Sequence, residues 1–286
     1  MSAKSVSQLR VLVAGGGIGG NAVALQLLRS GIRATVVERA AAARPGGQAV
    51  DLRGPSREVA ERMGMMPGIR DYQLDERGMK YVDDAGREIL RMSAELFDGK
   101  GAVAEIEITR GDLNQVLLDL LAAEGGVDYR YGEWITEIRQ DDAGVDVTFA
   151  SGATERFDIV IGADGLHSAT RGMVFGPEEQ FATYLGGYMS FFTLPRPEDL
   201  EPHWFTMHSL VGATGLGMRP DADPATCKAL VVIRAAADPA LRRDIAAQQQ
   251  FIRDRLAGGG WESARIAAAV SEAPDFYFDE LARIDM

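Results

Sequence analysis

Residues 9–38 read LRVLVAGGGIGGNAVALQLLRSGIRATVVE, and they decide the fold. Leu9 to Ala14 is a continuous apolar run of the kind that a parallel sheet buries on both faces. The glycine cluster Gly15 to Gly20 follows, and Ala22, Leu25 and Leu28 then recur at helical spacing until Ser30 and Gly31 end the pattern. Arg33 to Glu38 reads as a second strand, so the segment is a βαβ unit. With 33 glycines in 286 residues, the string GxGxxG arises by chance about 0.4 times in such a chain. Context decides instead: a buried strand before the string, a helix opening within it, and Glu38 ending the next strand. Gly15, Gly17, Ile18, Gly19 and Gly20 thereby set amide donors and a helix N-terminus at a pyrophosphate, and Glu38 offers a carboxylate to a ribose hydroxyl. FAD and NAD share that adenosine diphosphate half, and this segment does not choose between them.

Working outward, a simple doubly wound repeat does not continue. Arg44 to Gly54 (RPGGQAVDLRG) is loop-like and alternating segments follow. Met79 to Val82 and Glu88 to Leu90 flank a turn as a hairpin, and Glu105 to Thr109 alternates like a half-buried strand, as if inserted into the nucleotide domain. Thr109 and Asp112 fit a capping box before a helix whose Leu113, Val116, Leu117, Leu120 and Leu121 share a core face, stopped by Gly125 and Gly126. Val127 to Arg156 suggests a small meander, and Asp158 to Gly162 returns to the buried-strand type. Tyr188 to Leu194, His203 to Ser209 and Ala229 to Arg234 suggest a separate antiparallel layer. Helices are expected over Pro239 to Leu256 and Ser263 to Val270, and a last strand over Phe276 to Ile284.

Thirty lysines and arginines against 42 acids leave a formal charge of −12, which gives nucleic acid no electrostatic footprint. No run approaches the roughly 18 apolar residues of a membrane span. A single cysteine, Cys227, and a start without a long apolar stretch point to a reducing cytoplasm. His203 and His208, five apart on a strand, point to opposite faces and do not form a metal pair. Cys227 reads as a packing residue, and His167 as a surface or cofactor-edge residue. Tyr188, Phe191, Phe192, Trp204 and Phe205 concentrate aromatic surface in the second layer, as core or as the wall of a planar ligand site.

Residues 158–171, DIVIGADGLHSATR, add a second motif. Its GADGxxSxxR pattern resembles the second fingerprint of the single-component, FAD-dependent aromatic hydroxylases, the group of para-hydroxybenzoate hydroxylase and the tetracycline-modifying monooxygenases. The competing reading is a strand-to-helix turn capped by Ser168. In the family, the aspartate matching Asp164 serves FAD and NAD(P)H binding. Glu38 and Arg39 resemble the pair that takes the adenosine ribose and lies near adenine, and Arg110 resembles the arginine that opens a helix and contacts FAD from the other side; a solvated first-turn cation, slightly disfavoured by the helix dipole, is the alternative for Arg110. Asp51 and Arg44 resemble residues of the tetracycline-modifying branch that meet the flavin and NADPH; a turn residue and a surface charge are the alternatives.

The resemblance implies an α/β fold: a Rossmann-like FAD-binding βαβ domain with an inserted β meander over residues 1–175, an antiparallel substrate layer over 176–275, and the start of a return to the first domain over 276–286. It implies that NAD(P)H reduces FAD, that oxygen adds at flavin C4a, and that the distal oxygen passes to an aromatic or polyketide-like small molecule. No catalytic side chain is singled out, as expected where the cofactor carries the hard step. The family's third fingerprint, a GDAAH segment, does not follow Phe276 to Ile284, so weak FAD binding and a partly uncovered sheet face are expected of the chain as it stands. An NAD(P)-dependent reductase or dehydrogenase and an inactive flavin-fold remnant are the competing functions.

Overall fold

β1 (Val11–Ala14) is buried along its whole length because its two faces meet different layers. The computed structural model describes residues 5–94, 104 and 106–286. β1 is central in an all-parallel sheet with β2 (Ala34–Glu38), β7 (Asp128–Tyr131) and β11 (Ile159–Gly162), in the order β11-β1-β2-β7. Val11 and Val13 pack against α1 (Ile18–Arg29) and α4 (Arg110–Ala123) through Ala24, Leu25, Leu113, Val116, Leu117 and Leu121. Leu12 and Ala14 pack the other way, with Ile135, Val147, Phe149 and Phe157. Those four side chains come from an antiparallel meander of β8 (Ile135–Asp141), β9 (Gly144–Phe149) and β10 (Thr154–Phe157). Each fully buried phenylalanine there contributes about 1.5–3 kcal/mol relative to exposure.

Between Arg44 and Tyr72 the structure departs from the loop and alternating segments that the sequence suggests. It contains β3 (Ala49–Asp51), α2 (Pro55–Arg62) and α3 (Met66–Tyr72). The helices span two turns each and bury only Ala60, Met66 and Ile69, too few positions to display a helical period. β3 pairs antiparallel with β6 (Glu107–Thr109), which opens α4; Glu105, the expected start of that strand, lies outside the described residues. The Thr109 cap is formed: its side chain accepts from the Asp112 amide at 3.1 Å and donates to the Asp112 carboxylate at 2.6 Å.

The hairpin of β4 (Gly78–Val82) and β5 (Glu88–Ser93) is not an insertion into the nucleotide sheet. It forms one edge of a seven-stranded sheet by pairing in parallel with β13 (Trp204–Leu210), so the second layer is mixed rather than purely antiparallel. The sheet runs β16-β12-β15-β14-β13-β4-β5, with β12 (Ala182–Pro195), β14 (Thr214–Pro220), β15 (Thr226–Arg234) and β16 (Tyr277–Ile284). β14, sequence TGLGMRP, shows no strand signal because glycine fills alternate positions. The packing needs it: a side chain at Gly217 would come within 2.7 Å of the Phe205 ring. One face of this sheet presents Phe192, Leu194, Leu216, Met218, Cys227, Val231 and Ile233 to α6 (Ile245–Leu256) and α7 (Ser263–Ala269). Alternate residues, including Met189, Phe191, Arg219, Lys228, Leu230 and Val232, line the opposite face and are half-buried. Among the described residues no helix is long and apolar enough to cross a membrane.

Candidate functional site

The turn after β1 is shaped by what a side chain would strike. Gly15 has φ +106°, and a Cβ there would lie 2.4 Å from the carbonyl oxygen of Ala163; one at Gly20 would lie 1.9 Å from the carbonyl of Gly15. Gly15 thereby sits against the GADG segment, and the two sequence motifs meet as adjacent strand ends, with the Ala163 amide donating to Ala14 at 2.7 Å. At Gly17 and Gly19 an added Cβ would meet nothing within 4 Å, so this side of the turn is open. α1 begins with Gly17 as a cap that offers no side-chain acceptor, and its first intrahelical bond is Asn21 to Gly17. The amides of Ile18, Gly19 and Gly20 therefore face an open cradle at the positive end of a helix, which is what a bound pyrophosphate requires. The residues present fit the diphosphate of FAD.

The cradle is braced by residues that the sequence alone does not reveal. The Gly16 carbonyl accepts from Asn21 Nδ2 at 2.9 Å, Asn114 Nδ2 at 3.1 Å and the Tyr129 hydroxyl at 3.1 Å, drawing α1, α4 and β7 onto one atom. Asn21 is fully buried and also donates to Asn114 Oδ1 at 2.9 Å. Burial pushes the Tyr129 phenol upward, so it remains a donor at neutral pH. Asn21 in the otherwise apolar start of α1 is the one local hint, but its partner Asn114 lies 93 residues away.

Glu38 ends β2 beside the turn and accepts from the amides of Gly16 and Ala40, both at 2.8 Å. Arg39 is exposed, its guanidinium 5.3 Å above the half-exposed Trp134 indole. Asp164 accepts from the Ser168 hydroxyl and, at 2.9 Å, from the Thr170 amide. Ser168 caps α5 (Ala169–Val174) by accepting from the Arg171 amide at 2.9 Å, so the cap and the motif are the same structure. His167, in the same turn, places its two ring nitrogens 3.0 Å from Glu178 and 3.0 Å from Asp279 of β16.

The other candidates gather at a second corner. The loop containing Arg44 docks on the start of α4, where the Arg110 and Gly111 amides donate to the carbonyls of Gln48 (2.9 Å) and Gly46 (2.7 Å). Arg44 and Arg110 are exposed and have no ion pair among the described residues, while Asp51 pairs with Arg53 at 2.5 Å. Arg110 stands one helical turn, about 6 Å, before Asn114, so α4 connects this corner to the glycine turn. The half-buried face of the large sheet overlooks the corner: Lys228 Nζ is 3.9 Å from where a Gly46 Cβ would stand, and Arg219 reaches Asp51 at 3.8 Å. Phe191 lies against Tyr277 on that face, with ring centroids 6.4 Å apart, whereas Tyr188 and Phe192 belong to the core.

Residues 8–259 match the model of the family described as FAD binding domain. The chain belongs to that family. Its relatives identify it further as a flavin-dependent monooxygenase, an oxidoreductase with FAD as cofactor. It is 34% identical over 279 residues to a flavin-dependent monooxygenase of Legionella longbeachae, covering 97% of this chain and 70% of that protein. It is 39% identical over 281 residues to an uncharacterized protein of Mycobacterium tuberculosis, covering 96% of this chain and 73% of the other. Among solved structures, the tetracycline destructase Tet(51) superposes with a TM-score of 0.84 at 35% identity, over 97% of this chain and 70% of that one. The FAD-binding monooxygenase thus spans about 70% of the length of these relatives. Membership in an FAD family disfavours the alternative of a reductase that uses the glycine turn for NAD(P) alone.

Proposed function

We propose that this flavin-dependent monooxygenase uses NAD(P)H and dioxygen to hydroxylate a planar aromatic or polyketide-like small molecule. The observation that carries the reading is the half-buried face of the large sheet, apolar at Met189, Phe191, Leu230 and Val232 and polar at Arg219 and Lys228, set over the corner that bears Asp51 and Arg110. A flat face with aromatic and aliphatic positions and a few polar ones suits a planar ring system. The relative named as a tetracycline destructase supports a fused-ring substrate class.

In this reading Gly15, Gly17, Ile18, Gly19 and Gly20 cradle the FAD diphosphate. Glu38 keeps lone pairs for the ribose hydroxyl beyond those given to Gly16 and Ala40. Arg39 and Trp134 flank the adenine, Asp164 fixes the second motif beside the diphosphate, Arg110 and Asp51 border the flavin ring, and Arg44 receives the nicotinamide co-substrate. FAD, when bound, supplies the hydride acceptance and oxygen activation for which the side chains have no equivalent. The chain's own residues bind and orient, and the apolar floor excludes water from the reacting edge.

The test is reconstitution. Purified protein titrated with FAD should acquire flavin absorbance at one equivalent, consume NADPH faster when tetracyclines or phenols are added, and yield a product heavier by one oxygen atom. One equivalent of FAD with no substrate-dependent NAD(P)H consumption across such a panel would identify an inactive flavin fold instead.

A further inference from the structure

Away from the glycine turn, buried charge is concentrated around Arg219. Its guanidinium lies over the Phe205 ring at 5.2 Å and meets three carboxylates: Glu76 at 2.7 Å, Glu107, and Asp51 at 3.8 Å. The side chains of Glu76 and Glu107 are 1% and 3% exposed. β3 and β6 place Asp51 directly opposite Glu107, and the same Arg219 nitrogen, Nη2, reaches a carboxylate oxygen of each. Asp51 turns its other side to Arg53. Among the described residues, the charged groups facing Glu107 are Asp51 of β3, Glu76 from the segment before β4 and Arg219 of β14, and Arg53 pairs with Asp51. Two carboxyl groups paired across strands beside one cation repel each other when both are ionised, and a bond between them takes one proton.

We propose that Asp51 and Glu107 share a single proton, that Arg219 clamps this pair to the floor of the large sheet, and that the three form a positioning device which sets the orientation of Asp51 at the flavin edge. The positioning role rests on the placement of Asp51 proposed above; the shared proton does not. Geometry and titration agree, since burial first, and then the neighbouring Asp51 carboxyl, push the Glu107 carboxyl up to about 8. The pair is protonated once in mildly acidic and neutral solution. As pH rises through about 8 it becomes doubly negative, and Asp51 is drawn from Glu107 toward Arg53.

The sign of the linkage is fixed by an acid whose folded value lies above its unfolded one. Its stabilising contribution is complete below the ordinary glutamate range and is lost as pH climbs through about 8. Glu107→Gln reproduces the protonated acid, with an amide to donate to Asp51 and a carbonyl to accept from Arg219. Wild-type protein should lose about 4 °C of melting temperature between pH 6 and pH 9, and E107Q should lose markedly less and be the more stable of the two at pH 9. Infrared difference spectra of the wild type across the same interval should show loss of a protonated-carboxyl C=O band, a readout that needs no variant. With FAD added, the flavin absorbance of the wild type should shift over that interval and that of E107Q should not.

Absence of the carboxyl band change, or equal pH dependence in wild type and E107Q, overturns the shared proton. A proton signal with no accompanying flavin shift overturns the positioning role. Failure of FAD to bind either protein overturns the proposed function and the positioning role together, while the band and the melting curves still decide the proton.

Discussion

The hydroxyl of Tyr129 donates to the carbonyl of Gly16 across 113 residues of sequence, and a side chain on Gly16 would put its Cβ 2.0 Å from that hydroxyl. The bond makes β7 a brace for the nucleotide turn and makes Gly16, the second glycine of the GGGIGG run, a steric requirement of the sheet. Tyr129→Phe removes one of three donors to a buried carbonyl that keeps the other two. It should cost about 0.5–1.5 kcal/mol in urea unfolding, and weaken FAD binding no more than a few-fold. A variant whose denaturation midpoint is unchanged would show that Asn21 and Asn114 suffice.

Gly20 and Gly19 are neighbours with opposite surroundings, so alanine at each separates folding from binding. At Gly20 the new methyl meets the Gly15 carbonyl, and overpacking of this kind costs about 1–3 kcal/mol or more. At Gly19 it meets nothing, so Gly19→Ala should melt like the wild type and still lose FAD affinity by an order of magnitude or so, because the methyl enters the space of the diphosphate. Retention of full FAD affinity in Gly19→Ala, measured by fluorescence titration, would move the diphosphate away from this turn.

His167 joins the GADG turn to β16 through two carboxylates. Burial alone lowers its imidazole, but hydrogen bonds to Asp279 and Glu178 outweigh that and raise it above the ordinary histidine range. A neutral ring donates from one nitrogen only, so both bonds need the cation. The stabilisation is complete below the unfolded histidine value and fades as pH rises through the raised folded one. Solvent around the half-exposed ring keeps the effect small. NMR titration of the ring should give a midpoint above about 6.5, and His167→Gln should remove a shallow fall in melting temperature above neutrality. An NMR midpoint at or below the ordinary value would contradict the two-carboxylate arrangement.

Legibility from sequence followed how locally each feature is encoded. β1, α1, β2 and the α4 core face were readable because burial on two faces, or on one helical stripe, leaves a period in consecutive residues. The FAD family was readable because the two glycine motifs are local strings with a steric origin at Gly15 and Gly20. β14 was hidden because Gly215 and Gly217 interrupt its alternation, Gly217 yielding to the Phe205 ring, and α2 and α3 because two-turn helices bury one or two side chains each. Asn114, Tyr129 and the Arg219 cluster were hidden for another reason. Their partners are chosen by tertiary approach of segments about a hundred residues apart, for which no spacing rule exists.

The parallel pairing of β4 with β13 also orders events during synthesis. Val82 accepts from His208, a residue made 126 positions later, so at about 5–20 residues per second the finished hairpin waits roughly 6–25 s on the ribosome for its neighbour. Through that interval β4 carries an unmatched backbone edge on a nascent chain, the kind of surface that recruits other strands. Expression yield should therefore depend more on chaperone supply and translation tempo than on the stability of the finished fold.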